Sequence, residues 1–125
     1  ALAASPLFIG GELLTMDAFS YKLFTDQEML ACNRNCQTGR MVYFEDGIDI
    51  RRAKSKVVPT EGWFGVFNTN DREKEVLLSS RELPFLEKGR HHLYDIWNHK
   101  ALGLYQGVLK AEIPADGVLF IKYHL

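Results

Sequence analysis

Met41-Val42-Tyr43-Phe44-Glu45-Asp46-Gly47-Ile48-Asp49-Ile50-Arg51 is the stretch on which the fold turns. Its β-branched and aromatic residues suit a pleated, half-buried surface, and Asp46-Gly47 suits the positive φ angles of a two-residue hairpin turn. The segment therefore predicts a hairpin, with Met41 to Glu45 returning as Ile48 to Arg51. The period of two continues downstream. Trp63 to Asn68 is the next expected strand, ended by the polar turn Asn68-Thr69-Asn70-Asp71. Glu73 to Ser79, His91 to Trp97, Tyr105 to Ile113 and Gly117 to Leu125 follow, with Pro84, Gly89, Asn98 and Pro114 in or beside the connections. In the last strand Leu119, Ile121, Tyr123 and Leu125 share one side, and Val118, Phe120, Lys122 and His124 the other. In His91 to Trp97, Tyr94 and Ile96 are expected inward and Trp97 covered at the sandwich end. About eight short strands without helical pattern between them imply a mainly β chain, an antiparallel Greek-key β-sandwich.

Before residue 40 the hydrophobic period is different. Leu7-Phe8-Ile9 is a continuous apolar run ended by Gly10-Gly11, as in a fully buried strand entering a loop. Thr15 is a suitable N-cap for a helix carrying Met16, Phe19, Leu23 and Phe24 at helical spacing. Thr25-Asp26-Gln27-Glu28 has the form of a capping box, so a second short helix begins there and buries Met29 and Leu30. Strand, glycine loop and helix make a βα unit over residues 1–39, and the sandwich over residues 40–125 begins just after Gly39. The strand of that unit needs parallel neighbours. Alone, it is expected to be disordered, repacked or shared with another copy of the chain as a homo-oligomer. An apolar start without methionine also suggests a piece of a larger protein.

The 125 residues are 46% hydrophobic and 12% aromatic, enough for one sizeable core. Fifteen basic and sixteen acidic residues leave a net charge of -1, so no global field gathers phosphates, and nucleic acid is not an expected partner. Apolar runs such as Gly117-Val118-Leu119-Phe120-Ile121 are too short to span a membrane, and no membrane association is expected. Cys32 and Cys36 are the only cysteines; their spacing suits neither a zinc set nor a disulfide framework, and two free thiols are expected. No metal or other cofactor is expected.

Several segments, in order, resemble the C-terminal end of the melibiase family of α-galactosidases and α-N-acetylgalactosaminidases. Ala4-Ser5-Pro6-Leu7-Phe8-Ile9-Gly10-Gly11-Glu12-Leu13 is similar to that family's last barrel strand and following loop, with Glu12 where aspartate is usual. Thr25 to Asn33 resembles the last barrel helix, although Cys32-Asn33-Arg34-Asn35 replaces an Ile-Asn-Gln-Asp run. Asp46-Gly47-Ile48-Asp49-Ile50, Gly65-Val66-Phe67-Asn68, Tyr94-Asp95-Ile96-Trp97 and Pro114-Ala115-Asp116-Gly117-Val118 follow the order of the family's sandwich strands, Asp116 standing where histidine is frequent. The resemblance implies that residues 1–39 are the final βα unit of a (β/α)8 catalytic barrel. It also implies a parent that is a retaining hydrolase of terminal α-linked galactosyl or related sugars, and it is compatible with a secreted or periplasmic location. In such enzymes two carboxyls lie roughly 5–5.5 Å apart across the sugar. In this family both are aspartates on barrel strands upstream of Ala1, so no catalytic residue is expected in this chain. Its substrate-proximal part would be the loop with Gly10, Gly11 and Glu12. The implied partners are the barrel of the same polypeptide and, through it, a carbohydrate substrate.

Carboxylate pairs within the chain have simpler readings. Asp46 with Asp49, Glu73 with Glu75, and Asp26 with Glu28 fit a turn, an exposed strand face and a helix cap. His91 and His92 are adjacent, so on a strand they face opposite sides and cannot clamp one metal. The alternative to an accessory domain is a free-standing β-sandwich module binding carbohydrate or protein, with Trp63 and Trp97 as sugar-stacking candidates. Their apolar neighbours favour the core, and a structural domain covering one flank of a barrel is the preferred reading.

Overall fold

The structure, a computed structural model, describes residues 27–125. The expected strand at Leu7 to Ile9, the loop at Gly10 to Glu12 and the helix from Thr15 lie outside the described residues. A helix, α1 (Gln27–Asn35), precedes eight strands: β1 (Arg40–Glu45), β2 (Ile48–Lys54), β3 (Gly62–Asn68), β4 (Lys74–Ser79), β5 (His92–Asp95), β6 (Lys100–Leu104), β7 (Val108–Ile113) and β8 (Val118–His124). They form a six-stranded sheet in the order β1-β2-β3-β8-β5-β6 and a two-stranded sheet, β4-β7. Every pairing is antiparallel. The chain leaves the large sheet for β4, returns for β5 and β6, leaves again for β7 and comes back to insert β8 between β3 and β5, a Greek-key interleaving of the two sheets.

The β1–β2 hairpin forms as its turn chemistry requires. Glu45 pairs with Ile48, and Asp46 and Gly47 take φ values of 53° and 75°. The turn is tied to the β3–β4 loop, where the Thr69 hydroxyl donates to the Gly47 carbonyl at 2.7 Å and Asn70 Nδ2 to the Asp46 carbonyl at 2.9 Å. A Cβ on Gly47 would lie 2.6 Å from the Asn70 side chain, so both the backbone angle and the close approach require glycine.

Burial sorts the large sheet into two apolar faces. Ile48, Ile50, Phe64, Val66, Leu93, Ile121 and Tyr123 enter the sandwich core with Val76, Leu78 and Ile113 of the small sheet. Two strands cannot cover six, and the remainder is filled from the β4–β5 loop by Leu83 and Leu86, with Phe85 packed at the margin. The opposite face carries Ala53, Trp63, Ile96 and Phe120, and α1 lies on it through Met29, Cys32 and the following Cys36. Those spacings place three small or flexible apolar side chains on one helical stripe. The helix end is sewn to β2: Gln37 N–H donates to the Lys54 carbonyl and Lys56 N–H to the Asn35 carbonyl, each at 2.7 Å. Central strand β3 is consequently covered on both sides, which accounts for its nearly unbroken apolar run.

Two expected strands differ. His91 to Trp97 shortens to β5 because the Asp95 carboxylate accepts from Asn98 N–H and Nδ2 at 3.2 and 2.8 Å, capping a turn that takes the chain out of the sheet at Ile96. Leu93, not Tyr94, therefore faces the sandwich core, while Tyr94, Ile96 and Trp97 pack on the helix side. Tyr105 to Ile113 breaks at Gly107, with φ of 97°, so only β7 of it is a strand. The additional strand, β6, closes the sheet edge beside β5.

Candidate functional site

Several carboxylates of the described residues are engaged locally. Asp49 receives the Arg51 guanidinium at 3.1 Å, Glu45 receives Arg81 at 2.8 Å, and Glu75 pairs with Lys110 across the small sheet at 3.1 Å. Glu28 reaches from α1 to Lys122 of β8 at 3.7 Å. Asp46 occupies the hairpin turn. Burial alone would raise the Glu82 pKa, but hydrogen bonds from the Ser79 N–H and hydroxyl, each at 2.7 Å, lower it overall. No two of these face each other across a cleft that would admit a sugar between an attacking carboxylate and an acid. Asp26 lies outside the described residues.

Trp63 is 2% exposed, its ring enclosed between the sheet and α1, and an indole so placed offers no face to a dissolved sugar. Trp97 is half-buried in the turn after β5, with its ring centroid 5.5 Å from that of Phe120. The two tryptophans belong to one apolar cluster rather than an exposed platform. Gly10, Gly11 and Glu12 lie outside the described residues. His91 is buried, its Nδ1 accepting from Glu87 N–H at 3.0 Å, while His92 is exposed and stacks on His124 at 5.2 Å. Among the described residues no group of three His, Cys, Asp or Glu side chains is arranged to hold a metal. Cys32 and Cys36 are both fully buried, and burial, reinforced by the neighbouring Cys36, pushes the Cys32 thiol pKa far up, so Cys32 is a packing group rather than a nucleophile.

A concave region that sequence reasoning did not single out lies around Arg52. Ile48 and Ile50 enter the core, so alternation along β2 brings Arg52 and Lys54 to the same face, and Arg40 is the cross-strand partner of Arg52. A cleft of about 340 Å³ is lined by Gln37, Thr38, Arg40, Val42, Arg52 and Lys54. A second, of about 220 Å³, shares Arg52 and adds Phe85, Arg90, His91 and Tyr123. Arg52 Nε donates to the Tyr123 hydroxyl at 2.9 Å, and its guanidinium carbon sits 4.7 Å from the Phe85 ring centre and 5.7 Å from that of Tyr123. Burial raises the Tyr123 pKa despite the opposing influence of Arg52, so the hydroxyl is a neutral acceptor. The signal was present in Arg51-Arg52-Ala53-Lys54, whose alternate cations continue the face started by two core isoleucines.

The described residues thus form an antiparallel sandwich with a helix on the outer face of its larger sheet. The structure has the fold of the C-terminal part of the GH27 glycoside hydrolases. A GH27 β-L-arabinopyranosidase from Geobacillus stearothermophilus, solved with arabinose, is similar at 26% identity and a TM-score of 0.84, over 97% of this chain but 27% of that one. α-Galactosidase I from Mortierella vinacea shares the fold at 17% identity and a TM-score of 0.82, over 96% of this chain and 32% of that one. The α-galactosidase of Saccharomyces cerevisiae does so at 14% identity and a TM-score of 0.74, over 97% and 40%. The chain thus spans well under half the length of each. No protein-family model matches the sequence, and no curated protein matches it.

Proposed function

We propose that these residues are the C-terminal accessory region of a longer retaining glycoside hydrolase that releases terminal α-linked galactosyl or related sugars. The observation that carries this reading is the likeness of 97% of the chain to about a quarter of a GH27 enzyme, at 26% identity and a TM-score of 0.84. In this reading the nucleophile and the acid are aspartates on upstream barrel strands. The boundary between barrel and sandwich falls near residue 39, and α1 is the barrel's last helix. Its contact with Ala53, Trp63 and Phe120 then forms the seam by which the sandwich covers one flank of the barrel. The loop with Gly10 to Glu12 is the only part of the chain expected near the sugar.

The purified chain should hydrolyse neither an aryl α-galactoside nor an aryl β-L-arabinopyranoside above a buffer blank, whereas the longer polypeptide should turn over at least one of them. Release of the aryl group by the chain itself, abolished by Asp46→Asn or Asp49→Asn, would place the chemistry within these residues and overturn the reading.

A further inference from the structure

Three cations line the larger cleft, and none has an ion-pair partner among the described residues. Arg40 and Arg52 are directly opposite across the β1–β2 pair, and Lys54 is two residues further on the same face. Like charges opposite one another in a ladder are unfavourable. The ion pairs of the described residues are made elsewhere, by Arg51, Arg81, Arg90, Lys110 and Lys122. Among the described residues no acidic side chain lines this cleft; Glu87 lines the neighbouring one, where it pairs with Arg90.

Arg52 is also fixed in orientation. Its Nε–H is used by Tyr123, and the guanidinium lies against the rings of Phe85 and Tyr123. Among the described residues neither terminal nitrogen has an acceptor, so the guanidinium presents a planar fork whose ordering cost is already met by the fold. Gln37 and Thr38, at the same cleft, add neutral side chains that can donate to the outer oxygens of a ligand.

We propose that this cleft is a binding site for an oxyanion, a carboxylate or sulfate group, gripped bidentately by Arg52 and flanked by Arg40 and Lys54. The chemistry could be carried by a small free anion or by an acidic sugar. The cleft volume of about 340 Å³ accommodates a sugar ring bearing such a group. The proposal does not depend on the parent's being a glycosidase.

The test is a titration of the 125-residue chain, followed by backbone amide shifts, with inorganic sulfate, galacturonate, a galacturonate trisaccharide and neutral galactose. The anionic ligands should shift amides at residues 37–42 and 52–54 saturably, and galactose should not. Tighter binding of the trisaccharide than of sulfate identifies an acidic glycan as the natural class; equal binding identifies a small free oxyanion. Arg52→Gln should weaken anion binding by about tenfold or more. Because Arg52 packs against two rings, the exposed Arg40→Gln and Lys54→Gln serve as variants that leave the fold intact, and each should weaken binding and flatten its salt dependence. No saturable anion binding, or binding unaltered in both exposed variants, would overturn the proposal.

Discussion

An Asn68→Asp variant is expected to lose about 3–5 kcal/mol of stability near neutral pH, because it leaves a buried charge without compensation. Asn68 is 1% exposed at the end of β3, where the chain leaves the large sheet. Its Nδ2 is shared among the carbonyls of Arg72, Ile113 and Pro114 at 2.7, 3.0 and 3.1 Å, and its Oδ1 accepts from Asn70 N–H and Nδ2 at 3.0 and 2.9 Å. One side chain thus holds the end of β3, the entry to β4 and the exit of β7, and through Asn70 it reaches the hairpin turn at Asp46. Aspartate keeps the shape but turns a carboxylate oxygen towards three carbonyl oxygens. Burial and those acceptors raise the folded-state pKa of the new carboxyl above its unfolded value. Stability is then greatest below the unfolded pKa and falls as pH rises through the folded one, so acidification should recover part of the loss. Urea unfolding followed by circular dichroism at several pH values measures this. A midpoint equal to that of the unaltered chain, or a deficit independent of pH, would show that Asn68 is not the buried junction described.

The second large effect is expected at Trp63. Truncation to alanine removes an indole enclosed by Ala53, Phe120 and α1, and should cost about 3–5 kcal/mol. The Nε1 atom is buried without a hydrogen-bond partner among the described residues, so Trp63→Phe removes an unfavourable burial together with part of the ring and should cost less. Trp97→Ala, at a half-buried turn position, should cost less than Trp63→Ala. Equal urea midpoints for Trp63→Ala and the unaltered chain would mean that the helix does not seal this face. Recovery of sugar binding at Trp63 would point the same way.

The parts of the fold that sequence disclosed were those in which local chemistry and burial agree. Asp46-Gly47 dictates a turn whatever surrounds it, and β8 alternates because each of its faces meets a different apolar layer. Strand β6 was missed for the opposite reason: Lys100-Ala101-Leu102-Gly103-Leu104 is exposed throughout on the sheet edge, so no buried face imprints a period of two on it. Trp97 misled because an aromatic after Tyr94-Asp95-Ile96 continues a strand pattern, which masks the local Asp95–Asn98 turn that ends the strand. At the level of sites, apolar neighbours favoured a core position for Trp63 and Trp97; the structure encloses the first and leaves the second half-buried. The grouping of Arg40 with Arg52 required the register of the hairpin, including the irregularity between Met41 and Tyr43, which residue types do not specify.

The central claim is that these residues end a longer hydrolase whose catalytic carboxylates lie upstream. It is tested most directly by the intact mass and peptide sequence of the native polypeptide, captured with an antibody raised against residues 40–125. The account predicts a single chain several times heavier than 14.3 kDa. Upstream of Ala1 it should carry a Lys-x-Asp at the end of one barrel strand and an aspartate at the end of another. A native chain of 14.3 kDa beginning at or near Ala1, or a longer one lacking those aspartates, would contradict it.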